Sequence, residues 1–212
     1  MIRLTHFVAI DMKTRLFITD IRKISFDRVG ELSPERAERV QRCRRDDDKL
    51  RCIAGGLFMN KFLGGAKITV NEFGKPECDN GLCFNISHSG SYVLFALSGS
   101  EVGCDIEVVR PRDNWQTLAN TVFSLREHAE VEAERPEQQL AAFWRIWTRK
   151  EAIVKQRGGS AWQIVSVDST ALTSSLSVSQ CQLDTLSLAV CTPTPFTLTA
   201  DAVQRALVLF LT

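Results

Sequence analysis

Residues 143–159 read FWRIWTRKEAIVKQRGG, and this stretch predicts the helix on which the rest of the chain depends. It contains no Gly or Pro before its terminal glycine pair, which is typical of a helix that ends there. Trp147, Glu151 and Lys155 are spaced i, i+4, i+8, so successive members turn only about 40° and form one stripe along the helix. A carboxylate and an ammonium beside a tryptophan are unusual for a core face, although an exposed Glu–Lys pair is an equally simple explanation.

The composition is that of an ordinary globular protein, large enough for one domain or two small lobes. The 212 residues are 44% hydrophobic and 24% charged, with a formal net charge of +1. This charge creates no general attraction for nucleic acid or for a membrane surface, so we expect neither partner. The seven irregularly spaced cysteines contain no Cys-x-x-Cys pair and indicate neither a zinc ribbon nor a disulfide framework. Without a signal-peptide pattern or a membrane-length apolar run, we expect a cytoplasmic protein.

The N-terminal half predicts strands around a helical segment. Ser33 and Pro34 are typical of a helix start, and the helical pattern over residues 34–63 divides into two helices near the acidic triplet at 46–48. Strands are predicted at residues 7–10, 16–18, 68–70, 82–87 and 92–97, the last two as a buried hairpin.

Two predicted turns and a group of arginines offer material for anion binding. The hairpin turn, predicted over residues 87–91, combines hydroxyls, an imidazole and backbone N–H groups. Turns are commonly rich in Ser and Gly, however, and the lysine in the turn at 73–76 is equally consistent with a solvated tip. The arginines between residues 36 and 51 form either a solvated helix face or, for one or two of them, a phosphate clamp.

A second acidic cluster lies on a predicted strand at residues 101–109. Apolar residues alternate there with Gly103, Asp105 and Glu107. The two-residue period places both carboxylates on one face, roughly 7 Å apart. Such a pair belongs either on a solvated face or beside a cation.

The C-terminal half predicts helices followed by strands. Residues 124–127, SLRE, form a capping box that begins a helix, and residues 135–136, RP, end it before the next helix leads into the quoted stretch. After Gly159, strands are predicted at residues 164–167, 187–190, 196–200 and 206–211. No internal sequence repeat is visible, although both halves contain helix and strand.

Asp105, Glu107, Glu151 and Lys155 together form a candidate metal and phosphate site. Two like charges roughly 4 Å apart repel by about 4 kcal/mol at an effective dielectric constant of about 20, so converging carboxylates need a proton or a cation between them. Oxygen ligands without His or thiolate suit Mg²⁺, which completes its shell with water and substrate phosphates. Such a site predicts phosphoryl-type transfer by positioning and charge neutralisation.

These segments resemble the signature blocks of the 4′-phosphopantetheinyl transferases. The blocks are NISHSG at 85–90, GCDIE at 103–107 and WTRKEAIVK at 147–155, with FGKP at 73–76 as a fourth and FSLRE at 123–127 as a weaker fifth. Their order and spacing match the family, and the pairing of Gly-x-Asp-x-Glu with Trp-x-x-Lys-Glu-x-x-x-Lys is the specific part. The chain length resembles that of the larger, single-chain class.

The resemblance implies an α+β fold of two similar α/β lobes related by a pseudo-two-fold axis, with the site between them. One lobe, residues 1–100, would bind coenzyme A. The other, residues 101–212, would carry the metal and catalytic residues. A monomer is implied in the same way.

The reaction that the resemblance implies is transfer of the 4′-phosphopantetheine arm of coenzyme A to a serine of an apo acyl or peptidyl carrier protein, with Mg²⁺ required and 3′,5′-ADP released. Asp105, Glu107 and Glu151 would hold Mg²⁺. Glu151 would also be the candidate base, and Lys155 would neutralise phosphate charge. The residues that would bind coenzyme A are Arg36, Arg39, Arg51, Gly74, Lys75, Pro76, Ser87, His88 and Ser89. The carrier could serve fatty-acid synthesis or secondary metabolism, which the resemblance does not distinguish.

Two other functions use the same residues. A metal-dependent nucleotide or phosphoester hydrolase would employ the same acids with water as the nucleophile. A binding module for coenzyme A or a carrier protein would keep the scaffold without turnover, and a missing acid would favour it.

Overall fold

The computed structural model describes residues 13–203, and its architecture is mixed α+β. The strands in that range are β1 (Arg15–Asp20), β2 (Ile68–Val70), β3 (Pro76–Cys78), β4 (Cys83–Ser89), β5 (Tyr92–Ser98), β6 (Gly103–Val108), β7 (Ser177–Leu183) and β8 (Leu186–Thr192). The α-helices there are α1 (Pro34–Arg42), α2 (Asp46–Leu63), α3 (Trp115–Val122), α4 (Leu125–Glu132) and α5 (Pro136–Gln156). Short 3-10 helices occupy Ile21–Lys23, Phe26–Glu31 and Ala161–Ser166. The strands predicted at 7–10 and 206–211 lie outside the described residues.

Within residues 13–203, the strands form two three-stranded antiparallel sheets and a separate β2–β3 hairpin. The first sheet has the order β1-β5-β4 and the second β6-β8-β7. A shared apolar core joins them, since Ile18 and Leu94 of the first sheet cluster with Ile106 and Leu188 of the second. The opposite face of each sheet is covered by helix, α2 on the first and α5 on the second.

The first sheet and α2 are held together by aromatic packing. Phe95 at the centre of β5 lies with its ring centroid 5.2 Å from that of Phe58 on α2 and 5.6 Å from that of Phe84 on β4. All three side chains are almost completely buried. Burial of this kind contributes about 1.5–3 kcal/mol per large apolar side chain, so this cluster fixes α2 against β4 and β5.

The helix boundaries follow the sequence signals closely. The hydroxyl of Ser33 caps α1, and α2 begins at the acidic triplet, where Asp side chains complement the positive end of the helix dipole. The predicted division near residues 46–48 is confirmed. The capping box of α4 is complete, with Ser124 and Glu127 bonded reciprocally.

Two strand predictions for the C-terminal part were wrong, and one strand there was not predicted. Residues 164–167 lie mainly in a 3-10 helix, where Ile164 and Val167 are buried, and their i, i+3 spacing fits that helix better than a strand. Residues 196–200 form no strand; this segment donates the N–H of Leu198 to the hydroxyl of Ser179 instead of to a strand backbone. Strand β7, which pairs with β8 at the sheet edge, was missed because its mostly polar residues give a weak strand signal.

No helix in the described part of the chain is both long and apolar enough to cross a membrane.

Candidate active site

The two sheets meet where β4 lies beside β6, and side chains of β4 replace ordinary strand pairing there. The amide oxygen of Asn85 accepts the N–H of Cys104 at 3.0 Å, and the hydroxyl oxygen of Ser89 accepts the N–H of Val108 at 3.1 Å. These bonds satisfy buried backbone N–H groups of β6. They also fix the register between the two strands that carry most of the predicted site.

Two serine–carboxylate hydrogen bonds follow from that register. The hydroxyl of Ser87 donates to Asp105 Oδ1 at 2.7 Å, and the hydroxyl of Ser89 donates to Glu107 Oε2 at 2.5 Å. Asp105 and Glu107 therefore lie on the same side of β6, as the alternation predicts. The hairpin turn predicted over residues 87–91 is confirmed only for residues 90–91, because residues 87–89 continue β4 and pair with β5.

Helix α5 covers the second sheet and brings its stripe to the carboxylates. Trp147, Glu151 and Lys155 are half-buried along one side of α5, as their spacing predicts. The approach is close because β6 begins with Gly103, where a Cβ would lie 2.2 Å from the carbonyl oxygen of Ala152. The glycine of the Gly-x-Asp-x-Glu block is thus required by the packing of α5 on β6.

Lys155 joins the helix to the strand carboxylates. Its ammonium lies 2.5 Å from Asp105 Oδ1 and 3.0 Å from the hydroxyl oxygen of Ser87. Burial opposes the charged form of Lys155, but Asp105 and Glu151 outweigh that effect, so the pKa of Lys155 is raised. Burial raises the pKa of Glu151, and Asp105 adds to the effect while Lys155 opposes it.

The carboxylates fit a hard divalent cation by donor type, and one of their oxygens has no partner of its own. Asp105 Oδ2 is buried and has no hydrogen-bond partner among residues 13–203. Burial is the main cause that raises the pKa of Glu107 to about 7; the charges of Asp105 and Glu151 add to it, while the Ser89 hydrogen bond and Lys155 oppose it. No three acidic, His or Cys side chains of the described residues are already arranged to hold a metal ion. The Lys155 ammonium instead supplies the positive charge next to Asp105.

Glu107 should make the metal-free protein less stable as the pH rises from about 4.5 to about 7. Its pKa is higher in the folded state, so in this window the folded protein binds more protons than the unfolded chain, and the free energy of unfolding falls. Urea unfolding across this pH range should show a more negative slope of unfolding free energy against pH in the wild type than in Glu107→Gln. The same slope in both proteins would contradict the raised pKa.

A cavity of about 540 Å³ opens between α1, α2, the β2–β3 hairpin and β4. Six of the nine residues predicted to bind coenzyme A line it: Arg36, Arg39, Arg51, Gly74, Pro76 and His88. His88 lies on β4 between the two serines, and alternation along a strand explains why it faces the cavity while they face β6. Loss of solvent around its ring, followed by the charges of Arg51 and Lys155, lowers the pKa of His88.

The other three predicted residues make different contacts. Ser87 and Ser89 donate to the carboxylates of β6, and the Lys75 ammonium bonds to the C-terminus of α5 and to Glu101. A direct contact of these three with coenzyme A stays a prediction.

Arg36 packs closely against a glycine pair of α2 that the sequence analysis did not single out. A Cβ on Gly55 would lie 2.9 Å from Arg36 Nη2, and one on Gly56 would lie 3.2 Å from Arg36 Cγ. The guanidinium Nε is buried without a hydrogen-bond partner in the described part of the chain, and burial lowers the pKa of Arg36. Two adjacent glycines inside a predicted helix could have indicated this close contact. Each glycine costs about 1 kcal/mol of helix stability relative to alanine, so a pair of them suggests a packing requirement.

Lys150, which precedes Glu151, has a buried partner rather than a place in the stripe. Its ammonium lies 2.7 Å from Glu127 Oε2, and both side chains are 0% exposed. Glu127 also accepts the backbone N–H of Ser169 at 2.8 Å, and Lys150 donates to the carbonyl of Val167. The pair ties α4, α5 and the segment after the last 3-10 helix together.

Comparisons with known proteins agree with the sequence blocks. The family model of the 4′-phosphopantetheinyl transferase superfamily matches residues 101–196. The 4′-phosphopantetheinyl transferase AcpT of Salmonella typhimurium is 69% identical over 159 residues, which cover 73% of this chain and 82% of AcpT. AcpT of Escherichia coli strain K12 is 64% identical over 73% of this chain and 80% of its own length. The 4′-phosphopantetheinyl transferase Sfp of Bacillus subtilis strain 168 is 30% identical over 60% of each chain.

Proposed function

This chain belongs to the 4′-phosphopantetheinyl transferase superfamily, and from that premise we propose that it moves the phosphopantetheine arm of coenzyme A to a serine of an apo carrier protein and releases 3′,5′-ADP. The observation that carries the proposal is that the two faces of β4 contact different parts of the site. His88 faces the arginine-lined cavity, while Ser87 and Ser89 hold the carboxylates of β6. Strand β4 thus lies between the cavity and the acidic cluster, and a nucleotide bound in the cavity would have to extend its phosphates past His88 to reach the carboxylates.

The coenzyme-binding residues and the catalytic residues that we propose come from different halves of the chain. The cavity-lining residues all come from residues 36–88, and the carboxylates and Lys155 come from residues 105–155. This supports a site between lobes of 1–100 and 101–212, and the two three-stranded sheets, each covered by one helix, are what a pseudo-two-fold relation between the lobes would require. Because one chain supplies both sets of residues, we propose that it works as a monomer.

Asp105, Glu107 and Glu151 would hold Mg²⁺, which when bound neutralises the pyrophosphate charge of coenzyme A. The oxygen of the carrier serine forms a bond to the phosphorus that bears the pantetheine, and the bond from that phosphorus to 3′,5′-ADP breaks. Glu151 takes the serine proton. Lys155 donates to the phosphate oxygens, and Ser87 and Ser89 keep the strand carboxylates oriented.

Nucleotide products separate this proposal from a hydrolase that uses the same acids. Coenzyme A incubated with the protein and Mg²⁺ should remain intact until an apo carrier protein is added, and 3′,5′-ADP should then appear in equal amount to the modified carrier. Nucleotide or phosphate release without any carrier would favour the hydrolase. Tight binding of coenzyme A without turnover on any carrier would favour a binding module.

By the family resemblance, Arg39 would bind the 3′-phosphate of coenzyme A. Arg39→Ala should therefore weaken binding of coenzyme A by about 10- to 100-fold, because a hydrogen bond to a charged group contributes about 1.5–3 kcal/mol. Binding of dephospho-coenzyme A, which lacks the 3′-phosphate, should change little. The exposed Arg42, on the same helix and paired with Glu38, supplies the control variant Arg42→Ala. Calorimetry on both ligands tests this, and an equal loss for both would place Arg39 elsewhere on the coenzyme.

A further inference from the structure

The turn between β2 and β3, residues 71–75, is held in shape by Asn71. Its side-chain oxygen accepts the N–H groups of Phe73 at 3.0 Å and Lys75 at 2.8 Å. Its backbone N–H donates to the carbonyl of Lys75 at 2.9 Å. Asn71 and Lys75 are therefore fixed relative to each other, and whatever one side chain contacts is positioned together with the contacts of the other.

Both side chains reach the C-terminal end of α5. Lys75 Nζ donates to the carbonyl of Gln156 at 2.9 Å, and Asn71 Nδ2 donates to the carbonyl of Gly158 at 3.1 Å. Carbonyls at a helix C-terminus lack intrahelical partners and carry a partial negative charge. An ammonium is therefore well matched to this position.

Backbone N–H groups satisfy only some of the carbonyls at the C-terminal end of α5, and Lys75 satisfies another. The carbonyls of residues 153–155 accept the N–H groups of residues 157–159, and the next carbonyl along, that of Gln156, accepts Lys75. Lys75 also pairs with Glu101, two residues before β6, so one ammonium contacts the end of α5 and the segment that leads into β6.

The neighbours of Lys75 face the nucleotide cavity, but its own side chain does not. Gly74 and Pro76 line the cavity, whereas the Lys75 side chain is only 9% exposed and lies against the end of α5. Glu151 and Lys155 lie on the last two turns of that helix. The turn thus contacts the cavity on one side and the catalytic helix on the other.

We infer that Lys75 is a positioning residue for the transfer reaction: it holds the end of α5, and with it Lys155 and Glu151, instead of binding a phosphate of coenzyme A. The inference rests on the proposed function for its effect on transfer. The contact of Lys75 with α5 can be measured without turnover.

Lys75→Met removes the ammonium and keeps most of the side-chain volume. We expect kcat to fall by about 10- to 100-fold, since small displacements of reacting groups have effects of that size. The dissociation constant of 3′,5′-ADP should stay within about twofold, because the cavity lining is unchanged. Amide hydrogen exchange at residues 155–159 should become faster.

Asn71→Ala, which removes the second donor, should change kcat and exchange in the same direction and to a smaller extent. Glu101→Gln is the matched control, because it removes the other partner of Lys75 and leaves the bond to Gln156 in place; its kcat should be near that of the wild type.

Weaker binding of 3′,5′-ADP by Lys75→Met, with unchanged exchange at residues 155–159, would make Lys75 a phosphate ligand and overturn the inference. Unchanged kcat and exchange in Lys75→Met would overturn it as well. If the wild type itself transfers nothing, the proposed function fails. Amide hydrogen exchange would still report on the contact of Lys75 with the end of α5.

Discussion

Glu151→Gln is expected to reduce phosphopantetheine transfer by about 100- to 10,000-fold, the range that a general base contributes. Glutamine keeps the size of the side chain but cannot accept the proton of the carrier serine. Burial raises the pKa of Glu151, which moves this carboxylate toward the neutral range in which a base is effective. The rate of holo-carrier formation at saturating substrates is the measurement.

The fold should tolerate this substitution. The raised pKa shows that folding disfavours the charged form of Glu151, so its replacement by a neutral side chain does not remove a stabilising charge. Glu137→Gln is the control on the same helix, because Glu137 is exposed in the first turn of α5, far along the helix from the acidic cluster. Transfer by Glu151→Gln at a rate near that of Glu137→Gln would contradict the role of Glu151.

Glu127→Ala is expected to lower the free energy of unfolding by about 3–5 kcal/mol, the usual cost of leaving one charge of a buried pair uncompensated. The ammonium of Lys150 would keep the carbonyl of Val167 and the ring of Phe123 as partners but would have no carboxylate. The variant also loses half of the capping box of α4. Urea unfolding at constant pH measures the effect.

Lys150→Met should cost less, because Glu127 would still accept the N–H of Ser124 and both donors of Ser169. Combining Lys150→Met with Glu127→Gln should restore stability toward that of the wild type, since it removes both charges. Glu38→Ala, which breaks an exposed pair, is the control and should change stability by no more than about 1 kcal/mol. A loss in Glu127→Ala as small as that of Glu38→Ala would contradict the buried pair.

Local periodicity explains why the catalytic stripe could be predicted. The positions of Trp147, Glu151 and Lys155 around α5, and of Asp105 and Glu107 on β6, depend only on the period of one element. The same holds for the caps at Ser33 and the box at residues 124–127. These features need no knowledge of distant contacts.

Features that depend on contacts between distant segments could not be predicted in this way. Nothing in the neighbourhood of Lys150 shows that its partner is Glu127, 23 residues earlier in the chain. The partner of Lys75 is a backbone carbonyl 81 residues away, so the sequence suggested a solvated or phosphate-binding lysine. The serines of β4 were placed in a turn because hydroxyl-rich segments favour turns, whereas pairing with β5 keeps them in the strand.

The most direct test of the central claim is the intact mass of an apo carrier protein after incubation with this protein, coenzyme A and Mg²⁺. The same incubation with EDTA, and one with a carrier whose acceptor serine is replaced by alanine, are the controls. We expect the carrier to gain the mass of one phosphopantetheine arm, and both controls to show no gain. An unchanged mass with carriers from fatty-acid, polyketide and peptide synthesis, or a gain that persists in EDTA, would contradict metal-dependent transfer at this site.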